Sequence, residues 1–185
     1  MTTLSATAPS DPAAPTADPA AFKSGMRRLA SGVSIVAVVI EGARHGLAVT
    51  SVTSLAVDPP SLLVCVSRTS SAYRPLVEAG RFGVSVLAAD QLSVSLPFGD
   101  PSRREERFRG ETWHEDGTAI VLADALSAFV CRTERIVDHA SHAIFIASVE
   151  QVRLREGGGD PLVHVERGYR GTVPLALPDG QRGVA

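Results

Sequence analysis

An all-β barrel with helices only at its periphery is the fold this sequence predicts, and three observations lead to it. Runs rich in β-branched and aromatic residues recur at short intervals, at residues 33–40, 62–67, 82–87, 129–137, 143–154 and 162–165, separated by turn signals. Stretches with helical spacing are few and short. No strand leads through a glycine fingerprint into a helix, since the run Gly157, Gly158, Gly159 joins strand to strand, so a Rossmann domain is excluded.

Taken in order, residues 1–20 hold Ala, Pro, Thr, Ser and Asp with no apolar core and no basic start. This composition predicts a disordered arm and excludes a standard secretory signal. Residues 21–31 place Phe22, Met26, Leu29 and Ala30 on one face of a short helix, with Pro19 before it and Gly32 after it. Residues 33–40 form a strand, 42–46 a turn, and 47–57 one further strand that stops at Asp58, Pro59 and Pro60. A strand at 62–67, a polar loop at 68–72 and a helical turn at 73–79 closed by Gly80 come next.

Residues 82–87 are a strand and 90–96 a short helix, after which 97–117 is a polar excursion carrying Arg103, Arg104, Arg107 and Arg109. Glu105 and Glu106 alternate with these arginines, so the spacing favours a solvated, self-compensating loop over a dinucleotide phosphate site. Residues 120–128 read as weakly helical or extended, and the last strands are 129–137, 143–154 and 162–165. The expected organisation is one domain at 21–174 between the arm and a flexible tail at 175–185.

A formal net charge of -2 supplies no bulk attraction for nucleic acid or acidic lipid. The longest apolar run, 33–40, is broken by Ser34 and falls far short of the ~20 residues of a membrane helix, so a cytoplasmic protein is expected. Cys65 and Cys131 each follow apolar residues and belong to no CxxC pair, which predicts two inert core thiols in a reducing compartment. His139 and His142 are the only close histidine pair and have no ligand motif beside them, so no metal site is expected. His45 and His164 read as structural.

Chemistry concentrates in residues 45–60. Thr50, Ser51, Thr53 and Ser54 are more hydroxyls than a buried strand satisfies cheaply, because each unpaired one costs roughly 1 to 3 kcal/mol. Spacing alone leaves two readings open: an edge strand whose hydroxyls meet water, or a polar ligand such as a ribityl chain and phosphate.

Longer-range order adds to this. Gly32-Val33, His45-Gly46-Leu47, Thr50-Ser51 with Ser54, Asp58-Pro59-Pro60, Leu63-Val64-Cys65, Phe82-Gly83-Val84-Ser85-Val86-Leu87, Asp90-Gln91, Phe98, Arg107-Phe108 with Gly110, Cys131, His142 with Ile144-Phe145-Ile146, Pro161-Leu162 and Gly168-Tyr169-Arg170 follow one another. In that order they resemble the short-chain flavin reductases that serve two-component monooxygenases. The resemblance spans residues 22–170. It implies an FMN-binding split barrel, a homodimer, and hydride transfer from NADH or NADPH to FMN or FAD, the reduced flavin diffusing to a flavin-dependent monooxygenase. It places the flavin on Ala48, Val49, Thr50, Ser51, Val52, Ser54 and Leu55, and the flavin phosphate at Thr69, Ser70 and Ser71. A closing segment follows Phe98 and includes Asp100. His142 falls on the residue that touches the nicotinamide, and Arg167, Gly168 and Tyr169 on those that hold the dinucleotide.

Three positions depart from the family pattern: Ala48 replaces a polar residue, Ser85 an Asn, and Ala140-Ser141 the Gly-Asp that precedes the histidine. The competing readings are a non-enzymatic flavin-binding or flavin-delivery barrel and an oxidase of the pyridoxamine-phosphate type. The latter needs a basic phosphate-binding set not found in the sequence. Direct hydride transfer between stacked rings needs no protein acid or base, so the lack of a Ser/His/Asp or Cys/His constellation fits a reductase.

Overall fold

The structure is a computed structural model and describes residues 16–175. Most of the expected arm (1–20) and tail (175–185) therefore lies outside the described residues, at 1–15 and 176–185, and the end of the expected arm differs from the reading because Pro19 and Ala20 open a helix. In chain order the elements are α1 (Pro19–Met26), β1 (Ser31–Gly32), β2 (Ser34–Ile40), β3 (Ala43–Val49), β4 (Val52–Val57), β5 (Pro60–Ser67), α2 (Tyr73–Ala79) and β6 (Arg81–Val86). A 3-10 turn (Ala89–Gln91), α3 (Leu92–Gly99) and a second 3-10 segment (Pro101–Glu106) lead to β7 (Trp113–Asp116), β8 (Ala119–Leu122), β9 (Ser127–His139), β10 (His142–Leu154), β11 (Val163–Val165) and β12 (Gly168–Arg170).

The main sheet runs β4-β5-β10-β9-β6-β2-β8-β7 with β3 also on β2, and β1-β11-β12 form a small second sheet. This is the expected barrel with peripheral helices. β2 explains its own sequence: Ile35 and Ala37 enter one core with Leu87, Ile120 and Leu122, whereas Val36 and Val38 enter another with Val64, Phe82 and Phe145. A strand buried on both faces reads as an unbroken apolar run and shows no alternation. α2 seals the second core through Leu76, and Gly80 ends it at φ 62 as expected.

Several boundaries differ from the sequence reading, each for a local reason. The turn expected at 42–46 is only Glu41 and Gly42, both at positive φ (49° and 77°), so β3 already begins at Ala43 and pairs with Ile40. The single strand expected at 47–57 is two. β3 pairs with β2 and β4 pairs with β5, and the chain crosses between them at Thr50 and Ser51. The Ser51 hydroxyl anchors that crossing by donating to the Cys65 carbonyl at 2.8 Å.

α1 is shorter than residues 21–31. The Asp18 carboxylate caps its N-terminus, Pro19 takes its first turn, and Ser31 is drawn into pairing with His164. β1, β7 and β12 are strands the sequence reading did not expect, each four residues or fewer and too short to show a period, and β8 takes the extended alternative of the two left open for 120–128. The polar excursion is bridged at its far end: Arg81 on β6 binds Asp116 on β7 and Glu150 on β10, and Gln151 also bonds Asp116.

Candidate functional site

β3 and β4 are where the barrel fails to close. Among the described residues β3 has β2 as its only strand partner and β4 has only β5, so each leaves one edge without strand pairing, although Arg107 takes the Gly46 carbonyl of β3. The polar crossing at Thr50 and Ser51 lies between these two edges. Two cavities adjoin it. A larger one of about 860 Å³ lies between α1 and Thr50, Ser51, Val52 and Thr53, with Leu63, Cys65 and His164 in its wall. A smaller one of about 190 Å³ is lined by Val33, Ala48, Val49, Thr50, Gly99, His164 and Tyr169. Thr50 and His164 belong to both, so one cleft follows the ribbon from Ala48 to Thr53.

Within that ribbon, Ser51 is committed to the Cys65 carbonyl, whereas the Thr50 and Thr53 hydroxyls have no partner among the described residues. Ala48 leaves space where a larger side chain would narrow the smaller cavity. Ser54 is not in this cleft; it lines a separate apolar groove with Val57, Leu62, Phe129 and Val152. Leu55 is half exposed. Cys65 faces the larger cavity and so is not the sealed core thiol that was expected. Cys131 is sealed, and burial pushes its thiol up to about 12.

The loop after β5 is built by its own hydroxyls. Thr69 Oγ1 bonds Ser67 Oγ at 2.9 Å, and Ser70 Oγ accepts the Ala72 N–H at 3.3 Å. Ser71 opens instead onto a third cavity, about 480 Å³, with Arg44, His45, Arg104, Arg107 and Phe108. The arginine cluster is thus divided. Arg103 is bound by Glu106 in the solvated manner expected, but Arg107 turns inward. Its guanidinium donates to the carbonyls of Pro97 (2.8 Å), Gly46 (3.0 Å) and Asp100 (3.4 Å), with no carboxylate among its partners. Desolvation lowers its pKa from the ordinary arginine value.

Phe98 is a core residue, 5% exposed, in an aromatic triad with Phe108 (5.0 Å) and Trp113 (5.7 Å). Gly46 supplies the space: a Cβ there would lie 2.8 Å from the Phe98 ring. Asp100 is occupied in capping, accepting the Ser102 hydroxyl (2.7 Å) and N–H (2.8 Å), bonds that hold its carboxyl below the usual range. Ser85 is fully buried and accepts the Leu122 N–H, so it ties β6 to β8.

His142 begins β10 at the tip of a two-residue turn, Ala140-Ser141, with Ala140 at φ 49. It is exposed, its Nδ1 lies 2.9 Å from Ser141 Oγ, and it pairs in register with Ser67, two residues beyond the Ile144 and Cys65 pair. This puts it at the same end of the barrel as the Ser67–Ser71 loop. Arg167, at φ 62 in the β11–β12 turn, is exposed and makes no side-chain bond among the described residues. Gly168 has the Arg170 guanidinium against it, and Tyr169 enters the smaller cavity.

The sequence reading missed His164, taken as structural, as well as Ser95 and the inward Arg107. The β11–β12 register sets His164 opposite Tyr169, their rings 5.4 Å apart and edge to face. A two-residue turn at Glu166 and Arg167 between short apolar segments was the signal that would have placed them together. Ser95, fully buried on α3, donates to Tyr169 Oη at 3.1 Å and had no sequence signal. Among the described residues no cluster of His, Cys, Asp or Glu is arranged to hold a metal, and no helix is long and apolar enough to cross a membrane.

Comparison with known proteins gives a consistent picture. The family model described as flavin reductase like domain matches residues 26–172. The FMN reductase (NADH) RutF of Methylorubrum extorquens strain AM1 is 38% identical over 172 residues, covering 92% of this chain and 85% of the relative. Among solved structures, the styrene monooxygenase flavin reductase of Pseudomonas putida S12 superposes with TM-score 0.75 at 29% identity, covering 84% of this chain and 99% of that one. The NADH:FAD oxidoreductase SgcE6 of Streptomyces globisporus C-1027, in complex with NAD and FAD fragments, superposes with TM-score 0.75 at 25% identity, covering 91% and 100%.

Proposed function

The chain belongs to the flavin reductase like domain family, and on that premise we propose that it is an NADH-dependent flavin reductase, working on FMN in preference to FAD and supplying the reduced flavin to a separate flavin-dependent monooxygenase. The observation that carries the reading is the cleft along the unpaired edges of β3 and β4, where both cavities share Thr50 and His164.

A flavin suits this cleft on the chemistry of its walls. Free edge N–H groups and the Thr50 and Thr53 hydroxyls match the many oxygens of a pyrimidine ring and ribityl chain, and Val52, Leu63 and the α1 side chains give an apolar wall for a planar ring. The phosphate end goes to the cavity at Ser71, where Arg104 supplies the uncommitted charge, Arg107 being bound to backbone carbonyls and Glu105 standing in the same wall. Tyr169 and His164 line the Ala48 end of the same ribbon and His142 stands at the Ser67–Ser71 end, and these are the two approaches open to the nicotinamide. Bound flavin supplies a hydride acceptor and the dinucleotide a donor; the protein binds, orients and excludes water.

The working unit is the single domain of residues 21–174, to which α1 adds two residues at the front, in a cytoplasmic homodimer. Its test is steady-state NADH oxidation with FMN, FAD and riboflavin, each against flavin and NADH without protein. Turnover with free flavin, highest with FMN, is expected. Tight flavin binding with no acceleration of NADH oxidation would establish a flavin carrier in place of a reductase.

A further inference from the structure

The sequence and the comparisons leave one buried polar contact without a role, and it opens directly on the cleft. Ser95 is completely buried in the middle of α3. A helical serine normally bonds back to the carbonyl four residues earlier, which costs nothing in tertiary structure. Here its hydroxyl donates instead to Tyr169 Oη at 3.1 Å.

We propose that Ser95 is a positioning residue of the site, acting through Tyr169: by donating to the phenol oxygen it turns the phenolic proton away from α3 and into the cleft beside Ala48 and Thr50, toward a carbonyl oxygen of the ring that docks there. This rests on the flavin reductase reading above.

The argument is one of donors and acceptors. A phenol oxygen has one proton and accepts through its lone pairs. With an accepting lobe filled by Ser95, its own proton points elsewhere, and the open side of Tyr169 is the smaller cavity. The ring cannot swing to compensate. Its register partner His164 meets it edge to face at 5.4 Å, and the β11–β12 turn holds both on one short hairpin. If the pair only tied β12 to α3, an alanine and a phenylalanine of the same shape would serve about as well, since replacing both partners of a buried hydrogen bond is nearly neutral. The ligand chemistry is an amide-type carbonyl on a planar heterocycle, which both the nicotinamide carboxamide and the flavin pyrimidine ring carry.

Calorimetric titration separates these. Wild type, Ser95→Ala, Tyr169→Phe and the double variant are titrated with FMN, and the FMN-loaded proteins then with NAD+, with thermal midpoints measured alongside. Tyr169→Phe should weaken one of the two ligands about two- to tenfold, the span of one neutral hydrogen bond, and which one it weakens identifies the carbonyl. Ser95→Ala should weaken that same ligand to a lesser extent, and the double variant should bind it no more weakly than Tyr169→Phe alone while melting close to wild type. Unchanged affinities in Ser95→Ala, or a loss that persists in the Tyr169→Phe background, would overturn the proposal. Should Ser95→Ala not fold, Ser95→Cys fills the same volume with a weak donor and is held to the same expectation. A wild type that binds neither FMN nor NAD+ would defeat the flavin reductase reading itself, before any variant is compared.

Discussion

At the scale of single residues, the cleft divides its work between groups that bind and groups that position. His142 stands exposed on a hairpin tip, with Ser141 as the one hydrogen-bond partner of its ring among the described residues, so it is free to meet a second ligand from outside the barrel. If it orients the nicotinamide, His142→Ala should lower kcat/KM for NADH roughly 10- to 100-fold, about 1.4 to 2.7 kcal/mol, and leave flavin affinity within about threefold. Stopped-flow reduction of flavin-bound protein checks this, and equal rates at every NADH concentration would move the donor site to Tyr169 and His164. Arg104 gives the complementary prediction. It lines the cavity at Ser71 with no carboxylate bound to it among the described residues, so Arg104→Ala should weaken FMN about tenfold, as expected for a charge-assisted bond, and leave riboflavin unchanged. Equal losses for both flavins would show that the phosphate lies elsewhere. Thr50 and Tyr169 were legible in the sequence because hydroxyl crowding and a family motif point to them. His164 and Ser95 were not, because their importance comes from a pairing across 74 residues in one case and a hairpin register in the other.

At the scale of elements, the cleft exists because β3 and β4 exchange partners at Thr50 and Ser51, and because α3 is clamped against β3. Arg107 makes that clamp by spanning the Pro97, Gly46 and Asp100 carbonyls, and Gly46 lets Phe98 lie flat enough to reach it. A methyl group at Gly46 would stand 2.8 Å from Phe98, 3.1 Å from Phe108 and 3.2 Å from the Val36 carbonyl, and the last of these cannot rotate away. Gly46→Ala should therefore cost about 1 to 3 kcal/mol, the usual penalty of overpacking, and displace α3 enough to weaken flavin binding. Chemical denaturation with a flavin titration on the surviving folded protein tests both halves. A variant of wild-type stability would mean that the aromatic triad yields more easily than its packing implies. The same elements show what the sequence could tell. β2, β5, β6, β9 and β10 were readable because each concentrates β-branched, aromatic and other apolar residues between turn signals. The split of residues 47–57 was invisible, since its cause is which neighbour each half pairs with, and no Gly, Pro, Asn or Asp marks the crossing at Thr50 and Ser51.

At the scale of the whole molecule, the barrel is unfinished on one side. β4, β5, β9 and β10 present an apolar groove of about 280 Å³ lined by Val52, Ala56, Val57, Leu62, Phe129, Val149 and Val152. Beside it Val57 is 85%, Leu154 74% and Val152 54% exposed. Isolated surface valines need no explanation, but a contiguous apolar face on an edge strand marks an association surface, and it also marks an aggregation hazard unless something covers it. In the homodimer proposed above, a second copy related by a two-fold axis would cover it with the same face and close the assembly, whereas any heterologous contact would leave one face open. The larger cavity, to which the proposed function assigns the flavin, starts on the same ribbon, with Val52 common to both surfaces, so dimerisation and flavin binding should be coupled. Val57→Asp combined with Val152→Asp puts charges that must be desolvated into the centre of that interface. The double variant should sediment as a monomer at micromolar concentration, where wild type should sediment as a dimer, and bind FMN at least tenfold more weakly, although none of its changes touches Thr50, Ser71 or Tyr169. A wild type that sediments as a fully active monomer would defeat the coupling at its root. A monomeric variant with undiminished flavin affinity would keep the dimer but confine the flavin site to one chain.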